Sequence, residues 1–396
     1  MGSRKKTWRF IFNRDHLLIT IGAFILLGVL SFITFNVSFL NPVAKALKAF
    51  SVTDLFFDIQ HYGKPDESGA IAVLDITDVG DRGEIASLLE RVALCDPACI
   101  GVDAIFEGVR SDPEGNSRLM EVVDAYKDKM VFTCKLTDYD GKEGCFTSSV
   151  HSFFTDSISV SEGFANLKNN MDDLPVRKLG VKGRLGQDVV RSFPAAVVEK
   201  YSGHPMENHG EDWLINYRNV DFRVVAPDDI EDAADFLEGK IVLLGGVREE
   251  RDMHSSPVGK MPGVMIQAYS VDTLIGKKVS YLPSWMNWIL AFVLCWMFQI
   301  LVDSAVRTTG NGRHVVPATF LKEAYIMPGI TFLVSSVILS YFTFLIFSKR
   351  GFCIDIALIL IMLALTLESR KLYRSSIIAL SKRYSWRFLK KSVYYQ

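Results

Sequence analysis

Hydrophobic positions follow two patterns along the chain. Four long apolar stretches, at 17–40, 285–302, 326–347 and 352–367, hold only scattered polar residues and are read as transmembrane helices. The first can cross a hydrocarbon core of about 30 Å at a rise of about 1.5 Å per residue. A cleaved signal peptide is its rival reading, since a basic start precedes it, but the run exceeds a usual signal core and lacks a small-residue cleavage pattern. Trp285 and Trp288 fall where an interfacial belt is expected, and residues 348–351 leave room only for a tight hairpin between the last two spans.

From 41 to 284 the apolar runs are short and separated by helical spacing. AIAVLDI (70–76) predicts a buried strand, Ile85, Leu88, Leu89 and Val92 predict a helix over 82–94, and 98–103 predicts a second strand ending in Asp103. Strand, helix, strand at this spacing reads as a right-handed parallel crossover. Further along, 117–126 and 192–201 read as helices, 130–136 and 213–217 as strands, 157–161 as an exposed strand and 228–237 as an acidic helix, while 176–185 alternates less cleanly. KIVLLG (240–245) predicts another buried strand. After a polar loop, Pro262 opens a helix with Val264, Ala268, Val271 and Leu274 on one face and Gly276 as its stop. The expectation is one α/β domain with a mostly parallel or mixed sheet, carried by four transmembrane helices.

Charge then orients the chain. The formal net charge is −1, but Arg4, Lys5, Lys6, Arg9 and Arg14 precede the first span, Arg370, Lys371, Arg374, Lys382, Arg383, Arg387, Lys390 and Lys391 crowd the end, and the middle is acidic. The positive-inside rule accounts for both basic ends, so nucleic acid is not invoked. The expected order is a cytoplasmic amino terminus (1–16), span one, an outside domain (41–284), span two, a cytoplasmic loop (303–325), spans three and four, and a basic amphipathic cytoplasmic tail (368–396). Lys349 and Arg350 in the outside turn run against the rule but are outnumbered. The tail interleaves cations with Ile377, Ile378, Leu380, Trp386, Phe388 and Leu389, which suits an anionic inner leaflet or a docked cytoplasmic partner.

Cysteines refine the outside domain. Cys134 and Cys145 flank a segment containing Asp140-Gly141, a turn signal, so a hairpin could bring their sulfurs together; buried free thiols are the alternative. Cys95 and Cys99 could pair across a turn. The spacing of the pairs does not match a zinc ribbon.

The order AVLDI, helix, IGVDAIFEG, then LINYRNV, LEGKIVLLGG, the DMHSSP loop and MPGVMIQAYSVDTLIGK beside a membrane span resembles the CHASE2 family of extracytoplasmic sensory domains, over about 50–278. The resemblance implies an input module of the kind found with bacterial histidine kinases, nucleotide cyclases and serine/threonine kinases. Family members often carry a tryptophan and proline-rich segment after the first strand, whereas TDVGDRGE stands here, which puts that segment's role in doubt. Residues 368–396 are too short for an output domain, so a signal is expected to pass to another polypeptide.

The chemistry-bearing candidates are Asp75, Asp103, Glu107, Asp252 and His254. Asp75 and Asp103 are expected to end adjacent strands, with Asp252 and His254 in the loop after another, where ligands bind open α/β sheets. A polar pocket, even one for a divalent cation, is weighed against capping and turn roles. No G-x-S-x-G or phosphate-binding loop occurs, so no catalytic residue, metal or cofactor is expected and the chain is not read as an enzyme. Asn216, Tyr217 and Arg218 read as structural. Within the spans the only acid is Asp355, expected to pair with Lys349 or Arg350. The function expected is a sensor or receptor subunit in a bacterial inner membrane that signals to a separate protein. The alternative is a non-catalytic scaffold subunit of an envelope complex.

Overall fold

The computed structural model describes residues 13–36, 52–109, 112–167, 174–206, 212–276, 279–311, 326–384, 386 and 392. The basic residues before 13, most of the 303–325 loop and all but two residues of the tail beyond 384 lie outside the described residues. Along the chain run helices α1 (Arg14–Asn36) and α2 (Val52–Gln60), strand β1 (Ile71–Asp75), α3 (Arg82–Leu94), β2 (Cys99–Val102), α4 (Pro113–Tyr126), β3 (Met130–Asp140) and β4 (Cys145–Val150). There follow β5 (Ser161–Phe164), β6 (Lys178–Gly180), β7 (Lys182–Leu185), β8 (Asp188–Arg191), α5 (Phe193–Ser202), β9 (Asp212–Leu214), β10 (Val224–Val225), α6 (Ala234–Leu237) and β11 (Ile241–Gly245). Last come β12 (Met253–Ser256), β13 (Gly259–Pro262), α7 (Gly263–Ile275), α8 (Ser284–Asn311), α9 (Ile326–Arg350) and α10 (Ile356–Arg383). Two compact units result, one of residues 53–280 and one of residues 1–52 with 281–396.

In the 53–280 unit, the strand order is β10-β1-β11-β2-β3-β4-β7-β8, with β5 also paired to β3. β1, β11, β2 and the start of β3 are parallel, and every residue of β1, β11 and β2 is buried. Such strands need cover on both faces. On one face Ile85, Leu89, Leu119 and Val123 of α3 and α4 join Leu74, Ile100, Val102 and Leu244 in the main core. On the other, α5 and α7 come very close to the strands. A methyl group on Gly101 would lie 2.6 Å from Leu243 and 2.9 Å from Phe193, and one on Gly245 would lie 2.6 Å from Val264. Glycine there lets helix and strand backbones approach.

β1 and β2 are not neighbours: β11, more than 130 residues later, pairs with both. The expectation that Asp75 and Asp103 end adjacent strands is therefore corrected, because the crossover through α3 leaves a gap that β11 fills. α7 also differs from the expected one-sided helix, being buried over Val264, Ile266, Gln267, Ala268, Tyr269, Ser270, Val271 and Thr273. The acidic helix expected over 228–237 is split into a short 3-10 turn, Pro227–Asp229, and α6.

The Asp140-Gly141 hairpin forms, but it does not join the cysteines. Its antiparallel register sets Cys145 opposite Asp140 and Lys135 opposite Val150. Cys134 thus lies level with residue 151, about 20 Å along the strands from Cys145 at about 3.3 Å per residue. Both are buried free thiols, as is Cys99, and Cys95 is free and half-buried. Burial pushes the Cys134 thiol up to about 12, with Glu162 adding to the rise.

In the other unit, α1, α8 and α9 are long and apolar enough to cross a membrane. The fourth expected span differs. Phe352 and Cys353 are not helical, and α10 starts at Ile356 with Asp355 as its N-cap, accepting from Leu358 N at 3.0 Å. Asp355 thus caps its own helix, a role the expected pairing with Lys349 or Arg350 did not include. α10 then runs unbroken from the apolar residues 356–367 into the polar residues assigned to the tail. A second correction concerns charge. Asp15, His16 and Asp303 are buried where α1, α8 and α10 meet, although the apolar spans contain no such row. His16 Nε2 lies 2.8 Å from Asp303 Oδ2, Arg370 reaches Asp303 and donates to Gln299 Oε1 at 2.8 Å, and Tyr373 Oη donates to Asp15 at 2.7 Å. Ser369 Oγ donates to Ile19 O at 2.7 Å, and Gly22 faces it with no room for a side chain.

Candidate functional site at the carboxyl ends of the central strands

The parallel register brings the carboxyl ends of β1, β11 and β2 to one edge of the sheet: Gly245 pairs with Asp75, and Asp103 N donates to Leu244 O at 2.8 Å. All five candidate residues belong to this edge or to the loops that leave it. They separate into three groups with different work.

Asp75 is a latch. It accepts from Thr77 N at 2.9 Å, from Thr77 Oγ1, from Val247 N at 3.2 Å and from Arg248 Nε at 2.9 Å, while Arg248 also reaches Asp78 at 2.6 Å. Burial alone would raise its pKa, but these donors outweigh it and hold the carboxyl below the usual carboxylate range. With its acceptor sites filled, Asp75 ties the loop after β1 to the loop after β11. The TDVGDRGE segment supplies Thr77 and Asp78 to this tie.

The same segment supplies Arg82, a buried cation at the start of α3. It donates to the carbonyls of Glu107 at 3.0 Å and Gly108 at 2.8 Å, bonds Asn116 of α4, and lies 4.4 Å from the centre of the Phe153 ring. Glu107 therefore contributes its backbone here; its side chain is exposed. Arg82 fixes the loop that leaves β2 a few residues beyond Asp103.

Asp103, Asp252 and His254 form the third group. The loop after β11 closes with a 3-10 turn, Glu250–Asp252, and the β12–β13 hairpin, in which His254 pairs with Met261. Asp252 Oδ1 lies 3.2 Å from His254 Nε2, and Asp252 Oδ2 accepts from Gly263 N, the first amide of α7, at 3.0 Å. A carboxylate at that position complements the positive end of the helix. Burial pushes the Asp103 carboxyl up to about 7, the neighbouring Asp252 carboxylate adds to the rise and His254 opposes it. The hydrogen bond to Asp252 raises His254 above its ordinary value, burial works against it, and the charges of Asp252 and Asp103 reinforce it. The carboxyl of Asp103 and the imidazole of His254 thus both hold their protons more tightly than usual, beside the Asp252 carboxylate that caps α7. Among the described residues no group of three or more His, Cys, Asp and Glu is arranged to hold a metal ion.

Asn216, Tyr217 and Arg218 are structural ties. Asn216 N donates to Thr273 Oγ1 at 2.8 Å, Tyr217 Oη to Val176 O at 2.7 Å, and Arg218 grips Asp272 through two bonds of 2.8 Å, fastening this segment to α7. A cavity of about 10 Å³, room for about one water, lies apart from the acid cluster and is lined by Asn166, Lys178, Ser192, Gln267 and Ser270.

The sequence pattern singled out Asp103, Asp252 and His254 as candidates and did not single out Arg82, Thr77 or Arg248, which tie the loops at this edge. The signal available for Arg82 was its place in the segment that departs from the family pattern. The family model of the CHASE2 domain matches residues 25–302, taking in the whole 53–280 unit and parts of α1 and α8. No curated protein and no solved structure matches the chain. With the match covering well over half of its length, the chain belongs to the CHASE2 family, a family of extracytoplasmic sensory domains.

Proposed function

We propose that this chain is a sensor or receptor subunit of a bacterial inner membrane, with its 53–280 domain outside the cytoplasm, and that it passes its signal to a separate membrane or envelope protein. The observation that carries this reading is the acid cluster on α7. Asp252 touches both His254 and the first amide of α7, and only eight residues separate Ile275 from Ser284, where the apolar α8 begins. A change in the charge of Asp103 or His254 acts on Asp252, and so on the helix that leads to the membrane.

The proposed topology has α10 as a fourth span. Asp355 N bonds Asn287 of α8 at 3.2 Å, and Arg370 bonds Gln299, twelve residues further along α8, so the two helices run side by side for about 18 Å at about 1.5 Å per residue. Both basic ends are then cytoplasmic. Lys371, Arg374, Lys382 and Arg383, beside the exposed Leu372, Leu380 and Trp386, suit contact with anionic inner-leaflet lipids. In this reading the chain is not itself the effector enzyme.

Purification of the full chain from native membranes, without crosslinker, tests the reading. A signalling effector whose activity differs between wild type and Asp103→Asn supports it. A stoichiometric partner indifferent to Asp103→Asn supports the scaffold alternative instead.

A further inference from the structure

Apart from the acid cluster, one chain of polar side chains has the order of an activated nucleophile. Ser149 Oγ lies 2.8 Å from His151 Nε2, and His151 Nδ1 lies 2.8 Å from Glu162 Oε2. Ser149 and His151 are two apart at the end of β4, so their side chains share a face, and Glu162 comes from β5 on the same central strand, where it is level with Phe132 while Ser149 is level with Leu136. The Glu162 carboxylate selects the imidazole tautomer with hydrogen on Nδ1, leaving Nε2 to accept the serine proton. Its second oxygen, Oε1, is buried with no hydrogen-bond partner, so the negative charge is directed at His151 rather than dispersed. Ser149 is half-buried and His151 exposed, which leaves the hydroxyl within reach of solutes.

We propose that Ser149 is a covalent reception site, in which His151 is the general base and Glu162 its positioning residue, for a carbonyl or phosphoryl electrophile that carries a leaving group. The Oγ bond to the electrophilic carbon or phosphorus forms as the bond to the leaving group breaks. The serine proton moves to His151 Nε2 and then to the departing group, so no oxidant or further reactant is needed. This site goes beyond the sensory reading above and does not depend on the acid cluster.

A fluorophosphonate probe applied to the full chain in lipid nanodiscs, with adducts mapped by mass spectrometry, is the test. Ser148, one residue away and without a histidine partner, is the internal control. The expected result is an adduct on Ser149 in preference to Ser148, formed about 100-fold more slowly in His151→Gln. The rate should also fall in Glu162→Gln and recover in part in Glu162→Asp, which restores the carboxylate facing His151 Nδ1. Melting temperatures of the variants separate loss of reactivity from loss of fold. No adduct on Ser149 in wild type, equal labelling of Ser148, or an unchanged rate in a folded His151→Gln protein overturns the proposal.

Discussion

His16 and Asp303 stand 287 positions apart in the chain and 2.8 Å apart in the structure, both buried. Arg370 completes the pair from α10, so one acid is shared by a histidine on α1 and an arginine on α10. α1 and α8 are the two helices that bracket the CHASE2 domain in sequence, so any relative movement between them strains this cluster.

Removing the shared acid takes a charged partner from both His16 and Arg370. Asp303→Ala should cost about 3 kcal/mol in resistance to unfolding, because a buried ion pair is broken from one side. Asp303→Asn with Arg370→Gln should recover part of that loss. Unfolding of the full chain in mixed micelles measures both. Equal stability of the single variant and wild type contradicts the role given to the cluster.

The elevated pKa of Asp103 makes the stability of the domain depend on pH with a definite sign. The folded state holds a proton on Asp103 that the unfolded state releases near 3.8, so the stabilisation is complete below that pH and is lost as pH rises toward about 7. His254, also raised, contributes in the same sense above its ordinary 6.5, and Glu162, raised by burial, contributes in the same sense above 4.5. Asp75, lowered, acts in the opposite sense at and below 3.8. Denaturant titrations from pH 4 to 7.5 should show falling stability, and Asp103→Asn should flatten the slope. A slope unchanged in that variant contradicts the assignment.

Gly101→Ala tests the packing of α5 on the sheet. The added methyl group meets Leu243, Phe193 and Val197 inside van der Waals contact, so a loss of about 1–3 kcal/mol is expected. Gly141→Ala, at an open turn, is the control and should change little.

The cysteines give a direct mass measurement. Alkylation of denatured protein should add the same number of labels with and without reductant, since Cys134 and Cys145 are free thiols far apart along their strands. An extra pair of labels after reduction contradicts that register.

Much of the domain was legible because β1, β2 and β11 are continuous apolar runs and α3 carries its apolar residues at helical spacing. Spatial order was not, since nothing in local pattern says that β11 inserts between β1 and β2. The β12–β13 hairpin was also hidden: its residues MHSS and GKMP lack strand-like alternation and read as a loop. Asp103, Asp252 and His254 could be chosen because strand ends in parallel sheets collect ligands. Asp75 looked identical to Asp103 by that rule, and only the donors from Thr77, Val247 and Arg248 separate them. The cluster of His16, Asp303 and Arg370 escaped because each falls just outside an apolar window while remaining inside a helix.

In the sensory reading proposed above, the acid cluster controls the first turn of α7. Hydrogen exchange of the Gly263–Ile266 amides, in full-length protein in nanodiscs and corrected for the intrinsic pH dependence, tests it most directly. Deprotonation of Asp103 should set its charge against Asp252 and loosen the Asp252 bond to Gly263 N. Protection of that turn should therefore drop between pH 5.5 and 8 in wild type and stay constant in Asp103→Asn. Equal protection at both pH values in wild type, or the same drop in Asp103→Asn, would show that the cluster does not control this turn.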